Sequence, residues 1–492
     1  MGQQKLSTTA ATRKRPLLAT YFALGGIGIP VVSFLVSGPI VADPALVAIP
    51  LLILIISTGR LAAIFFSGET PVLAATMWMF IYITVGVVPL AQFHLNVFPF
   101  LVGKEYLLGA SVLLLLTATS YEIGRFLNDS RGTRVAPTHH RVVSIGRLKL
   151  VSVFAIAASL YYAQTVGGIS VLWASRRELR ESIDAAGLSS ADSQVGSAIV
   201  MTAGTVPVFV AMTLWLVHLI RNRSRGIGGW AWLLVLIAVN LVVNNPATSA
   251  RYWAITILVA LVFTLPKLSP NRFAFTIIGG IIGAIVVFPY LDYFREASER
   301  RGALQVTSIA DKIATKDFDQ YVMTANGMWW VDERGHTLGW QILGAIFFWV
   351  PRSVWPEKAR DTGVEIGLAM NSGNINLSSP LPLELWIDFG WVGVIAGFII
   401  IGYLSRKYDW QFSLSRDPNR REMYVIDILV PLVAGYTFIL MRGPLLQSMS
   451  RLAVMIAVCL FLMGAKLSID EAADKIAVAP AQRRGRRRYV SR

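Results

Sequence analysis

Apolar residues along this chain fall in long unbroken runs, not in the stripes of a soluble fold. A spanning helix needs about 20 mostly apolar residues. Twelve runs qualify: 17–36, 45–66, 71–92, 105–124, 148–167, 196–219, 230–246, 250–266, 273–291, 385–404, 424–441 and 452–465. Arg60 in the second run places part of it at an interface, where a long cation reaches headgroups. Asn245–Pro246 sets a tight turn between the seventh and eighth. Two connections on one side are long, 168–195 and 292–384. The second is rich in Trp and apolar residues, so it is expected to be ordered. Within it, 291–305 and 318–331 have helical spacing, whereas 338–350 is apolar but too short to span and ends at Pro351. The absence of an internal repeat weighs against a repeat-built secondary transporter. The expected fold is an all-α polytopic membrane bundle of about 12 helices with a large helical extracytoplasmic loop.

Basic residues test that threading. With the N-terminus inside, the inner segments hold 29 Lys and Arg against 8 Asp and Glu, leaving 16 and 21 for the rest. This is the positive-inside asymmetry. It predicts two cytoplasmic ends: a basic N-terminus (1–16) and a basic tail (466–492). Between them come helices over 17–291, the extracytoplasmic loop 292–384 and helices over 385–465. Arg13-Lys14-Arg15 before the first run reads as an uncleaved anchor. The tail run Arg483–Arg488 suits anionic membrane lipids, or is simply solvated.

Composition agrees: 54% of residues are hydrophobic and 15% charged, against about 25% in soluble proteins. That excludes an ordinary cytosolic enzyme, a secreted domain and a disordered chain. The net charge of +16 is partitioned by the membrane and does not signal nucleic acid. The single Cys459 permits no intrachain disulfide and reads as a buried hydrophobe. No cluster of His, Cys and carboxylates has metal-ligand spacing, and no cofactor is expected.

The chemistry is therefore sought on the outer side, which carries twelve arginines and four lysines. The guanidinium fork matches phosphate and carboxylate oxygens. Arg176, Arg177 and Arg180 share a helix face as a basic comb, or form an ordinary amphipathic helix paired with Glu178 and Glu181. Arg251 opens a span just after Asn244-Asn245, beside a polar cavity or snorkelling to headgroups. In 348–358, Pro351 and Pro356 fix a turn around Arg352, Trp349 and Trp355. It presents Arg352 to an anionic ligand or is an interfacial turn. Glu384 lies at the mouth of the tenth span, where burial makes a carboxylate a general base unless an arginine pairs it. Asp388, one turn deeper, reads as structural. His336, Arg360 and Arg442 complete the candidates, with Arg451 beside the last outer turn.

These segments resemble the bacterial oligosaccharide repeat-unit polymerase family (Wzy-type, O-antigen polymerase-like). The likeness rests on Ser175-Arg176-Arg177-Glu178, Ser249-Ala250-Arg251, Pro351-Arg352-Ser353-Val354-Trp355-Pro356-Glu357-Lys358, the stretch from Ser379-Pro380 to Glu384, and Phe389-Gly390-Trp391-Val392-Gly393. It covers roughly residues 150–405. It implies a GT-C-like glycosyltransferase of the ligase and polymerase class in the bacterial plasma membrane. Its substrate would be an undecaprenyl-diphosphate-linked oligosaccharide, and a chain-length regulator and a flippase would be its partners. The related O-antigen ligases carry a His-Asn pair eleven residues before Gly-x-x-Gly. Gly390 and Gly393 fit that spacing, but the pair is replaced by Ser379-Pro380. The departure argues against a ligase and leaves Glu384 as the expected base. Classical dolichyl-phosphate-sugar transferases place an acidic pair in the first outer loop, where 37–44 offers only Asp43. The expected reaction is an inverting, metal-independent transfer. Arg352 and Arg251 would clamp the donor diphosphate, assisted by Arg176, Arg177 and Arg180, while Trp330, Trp340, Trp355 and Trp386 would stack on sugars or form an interfacial belt. A flippase or polysaccharide exporter is the rival function.

Overall fold

The computed structural model describes residues 16–37, 44–130, 139–174, 176–185, 194–222, 226–246, 249–265, 268–290, 309–373, 377–416, 420 and 422–468. The expected helix over 291–305, the 37–44 loop except its ends, and most of the basic tail lie outside them. The described chain is nearly all helical. Eight helices are long and apolar enough to cross a membrane, as a polytopic membrane protein requires.

In chain order the main elements begin with α1 (Pro16–Ser37), α2 (Pro44–Ser67), α3 (Val72–Leu95), α4 (Tyr106–Asp129) and β1 (His139–Val143). There follow α5 (Ile145–Thr165), α6 (Arg176–Ala185), α7 (Gln194–Asn222), α8 (Ile227–Val243), α9 (Arg251–Thr264) and α10 (Pro270–Tyr290). The large loop contributes α11 (Gln320–Arg334), α12 (Trp340–Ile346) and α13 (Thr362–Ala369). The chain closes with α14 (Leu381–Ser415), α15 (Ile426–Arg442), α16 (Leu445–Phe461) and β2 (Met463–Ser468). A helix lies on each of the twelve apolar runs. The expected loop helix 318–331 is α11, and the 338–350 run gives only the short α12.

Burial sorts these helices. Every residue of α3 up to His94 is buried, so it sits at the centre, whereas few residues of α1 are buried and it lies at an edge. One core joins α1–α4 with α10 and α14. A second joins α5, α7, α8 and α16. Both α9 and α15 contribute side chains to each core and fasten the two halves together. Helices in lipid associate through close packing of small residues. At the crossing of α4 and α14, a Cβ on Gly124 would lie 2.0 Å from the Ile399 carbonyl oxygen, and one on Gly402 would lie 2.0 Å from that of Tyr121. Glycine at both places lets the backbones touch.

Contacts among the connections fall into two groups. At one end, the Asn326 side chain accepts from Val102 N–H at 3.0 Å, Tyr106 donates to Asp332 at 2.9 Å, and Asn245 donates to the Leu172 carbonyl at 3.1 Å. At the other, Arg147 donates to the Phe461 carbonyl at 3.1 Å and Arg221 to that of Glu422 at 2.8 Å. There β1 pairs antiparallel with β2, and Val142 bridges to Tyr424. This ladder departs from the purely helical expectation. Its physical reason is that segments leaving the bundle side by side satisfy exposed backbone groups by pairing. Arg60, partly exposed, is bonded to Glu122 of α4.

Candidate functional site

The site grows from the start of α14. Glu384 lies in its first turn and is 1% exposed. One carboxylate oxygen accepts from the Thr362 hydroxyl at 2.7 Å, and the other accepts from Leu445 N–H at 3.1 Å. Thr362 is the first residue of α13 and Leu445 the first of α16. A helix start carries unpaired N–H groups and partial positive charge, so Glu384 is seated between two such starts.

Asp361 stands beside it and caps α13, accepting from Gly363 N–H at 3.0 Å and Val364 N–H at 3.4 Å. The sequence reading missed it. Asp-Thr-Gly at a helix start is a cap signature, but nothing local places it beside Glu384. Asp361 and Glu384 lie close enough for their charges to act on one another, and neither forms an ion pair among the described residues. Burial pushes the Asp361 carboxyl up to about 6, opposed by the cap hydrogen bonds and by the Gln447 side chain.

A short polar seam leads from Glu384 to the arginines. Ser379 is fully buried at Glu384, and its neighbour Ser378 donates its hydroxyl to Asp319 at 2.6 Å. Burial raises the Asp319 carboxyl above its usual range, against the pull of Arg442. Arg442 lies 3.8 Å from Asp319, with its guanidinium 4.7 Å from the centre of the Tyr252 ring. It also donates to the Asp317 carbonyl at 3.4 Å. Arg251, 8% exposed, pairs with Asp317 at 2.7 Å and lies over Phe288. Thus Arg251 and Arg442 converge on the Asp317–Asp319 turn just before α11, two acids that the sequence reading did not single out.

Arg352 is placed differently. It donates to the carbonyls of Lys358 at 2.6 Å and Ala359 at 2.9 Å, while Lys358 donates to those of Phe348 at 2.7 Å and Val350 at 2.9 Å. The two cations lace the loop closed in both directions. Desolvation lowers both their pKa values. The laced loop ends at Arg360, Asp361 and Thr362, so Arg352 fixes where the acid pair stands, and three of its five N–H donors remain for a ligand. Arg360 is exposed and lies 3.8 Å from Glu365. Trp355 meets Trp340 edge-on at 5.2 Å.

His336 belongs to the break in α14. Gly390 has φ 59° and ψ −147°, a conformation essentially reserved for glycine. A Cβ there would lie 3.3 Å from the His336 ring. The break frees the Ile387 carbonyl, which accepts from Thr337 N–H at 2.9 Å, with His336 Nδ1 3.3 Å away. His336 also packs on Trp386 at 5.3 Å, so it joins an aromatic cluster and not the arginines. Asp388 accepts from the Thr337 hydroxyl, Gln341 N–H at 3.1 Å and Ile342 N–H at 2.9 Å. It caps α12, the structural role its sequence position suggested.

Arg177 pairs with Glu181 at 3.0 Å, and both side chains are more than half exposed. The side chains of Arg176 and Arg180 lie outside the described residues. The structure therefore brings together Arg251, Arg442 and Glu384, and sets Arg352 and Arg360 at the loop that carries Asp361. Comparison with family models, curated proteins and solved structures gives no match for this chain.

Proposed function

We propose that this protein is a membrane glycosyltransferase of the repeat-unit polymerase kind, with a GT-C-like bundle of twelve spans in a bacterial plasma membrane and both termini cytoplasmic. On this reading it lengthens a surface polysaccharide from undecaprenyl-diphosphate-linked oligosaccharides at the opposite face. The observation that carries the reading is the pair of buried carboxylates without a counter-cation among the described residues, Glu384 and Asp361, joined by Ser379-Ser378 to Arg251 and Arg442.

The chemistry follows from those charges. An acceptor sugar hydroxyl attacks the anomeric carbon of the donor. The bond from that carbon to the diphosphate oxygen breaks, and the diphosphate leaves with the electron pair. Arg251 and Arg442 offset its developing charge in a site shielded from water. The 3.8 Å contact between Arg442 and Asp319 is loose enough for a phosphate to displace it. The hydroxyl proton passes to the carboxylate of Glu384.

The test is purified protein in lipid nanodiscs with a short lipid-linked donor. Wild type should extend the glycan. Arg352→Ala should remain folded and inserted yet make no polymer, because the loop that holds Asp361 is unlaced. Movement of donor across a bilayer without chain growth would establish the flippase instead.

A further inference from the structure

Two polar atoms beside Glu384 are buried and complete no hydrogen bond among the described residues. One is the hydroxyl oxygen of Ser379, a residue fully buried. The other is Oδ2 of Asp361, a residue 8% exposed. Both stand close to a polar neighbour: Ser379 acts on Glu384, and the Gln447 side chain acts on Asp361. These groups are near one another without being aligned. Two oxygens that bond each other turn a hydrogen into the line between them, whereas oxygens around a hard cation all face the ion. Buried polar atoms in a native fold find partners, and one that does not marks a water or an ion.

Charge decides which. Glu384 accepts from Leu445 N–H at the start of α16, and Asp361 caps the start of α13. Each helix start offsets about half a charge, so the two carboxylates together keep about one negative charge. A water supplies hydrogen bonds and no charge. A proton supplies the charge at one oxygen and leaves the others unpartnered. A divalent ion overshoots. One monovalent cation meets both counts. Gln447 is exposed and acts on Asp361, so it links the pair to the surface. We propose that the carboxylates of Glu384 and Asp361, with the Ser379 hydroxyl, bind one sodium ion. Binding here requires no polymer chemistry. Protons compete for the same oxygens, and the other charges nearby are already answered. Arg360 and Glu365 lie 3.8 Å from each other, Asp319 faces Arg442, and Asp388 caps α12. From α16 the pair meets the Leu445 N–H and the neutral Gln447.

The experiment uses the full chain in phosphatidylcholine nanodiscs in choline buffer, without glycan donor, and with sodium, potassium and calcium ions as probes. Retention of radioactive sodium and the thermal midpoint are read together. Wild type should hold one sodium ion per chain, ten-fold or more tighter than potassium, with a raised midpoint. Retention should fall ten-fold or more from about pH 8 to about pH 5, as protons take the carboxylates. Asp361→Asn keeps an oxygen for the α13 cap and should lose sodium retention. Ser379→Ala removes one hydroxyl and should weaken retention several-fold, which decides the matter if Asp361→Asn does not fold. A wild type that retains no sodium, holds potassium equally well or holds calcium more tightly overturns the proposal, as does a folded Asp361→Asn protein that retains sodium like wild type. Chain growth is measured separately with donor present, so loss of the polymerase reading leaves the sodium result standing, and the reverse.

Discussion

The two ends of the bundle treat buried charge in opposite ways. At the end carrying β1 and β2, Asp409 of α14 accepts from Leu73 N–H at 2.8 Å and Ala74 N–H at 3.1 Å, and Arg125 lies 3.6 Å away. Asp427 there faces Arg221 at 3.1 Å as well as Arg420. At the far end of the same α14, Glu384 also accepts a helix-start N–H, yet neither it nor Asp361 forms an ion pair among the described residues. Three carboxylates of one helix, Glu384, Asp388 and Asp409, each receive the start of another helix. Their geometry is alike and their compensation is not. A structural charge is matched where it stands, whereas one left unmatched in a buried place suits a proton or a ligand that comes and goes.

The comparison is broken most directly at Asp409. Asp409→Ala leaves buried Arg125 with only the 3.8 Å contact to Glu122 and uncaps α3. It should cost about 3–5 kcal/mol for the charge alone, read as a large fall in thermal midpoint and in folded yield. Glu384→Gln should behave the other way, keeping the midpoint within about 1 kcal/mol while chain growth falls roughly 10²–10⁴-fold, the usual worth of a general base. Undiminished growth in that variant would remove the base assignment. Asp361→Asn sharpens the contrast through pH. With its carboxyl pushed up to about 6, the native protein holds this proton more tightly than the unfolded chain, where Asp titrates near 3.9. The group therefore contributes stability below about pH 4, and that contribution is lost as pH rises to about 6, up to about 3 kcal/mol in all. Wild type should lose midpoint across that window relative to Asp361→Asn, whose own slope should be flatter. The smallest effect belongs to Arg177→Ala. The Arg177–Glu181 pair is exposed, so its loss should change stability by under about 0.5 kcal/mol. A ten-fold loss of chain growth without loss of stability would bring α6 into the site.

The sequence disclosed more of the fold than of the site. A helix stands on every apolar run because a run of that length already specifies one in lipid. Asp388 was legible as structural from its place one turn below Glu384. Glu384 was legible as a buried carboxylate at a helix mouth, and its lack of an arginine was not. Asp361 went unnoticed because a helix-capping Asp is common in any sequence. The β1–β2 ladder escaped because its strands lie more than 300 residues apart.

By itself the chain determined the helices, their number of apolar runs and the side on which basic residues collect, since hydropathy and charge add up locally within about 20 residues. Only the tertiary structure decided which charges are compensated. Arg352 turns to its own loop carbonyls, Arg251 to Asp317, and Glu384 to the start of a helix 61 residues away. Ion pairs and hydrogen bonds act over a few ångströms between groups far apart in sequence, so the packing of the helices settles them.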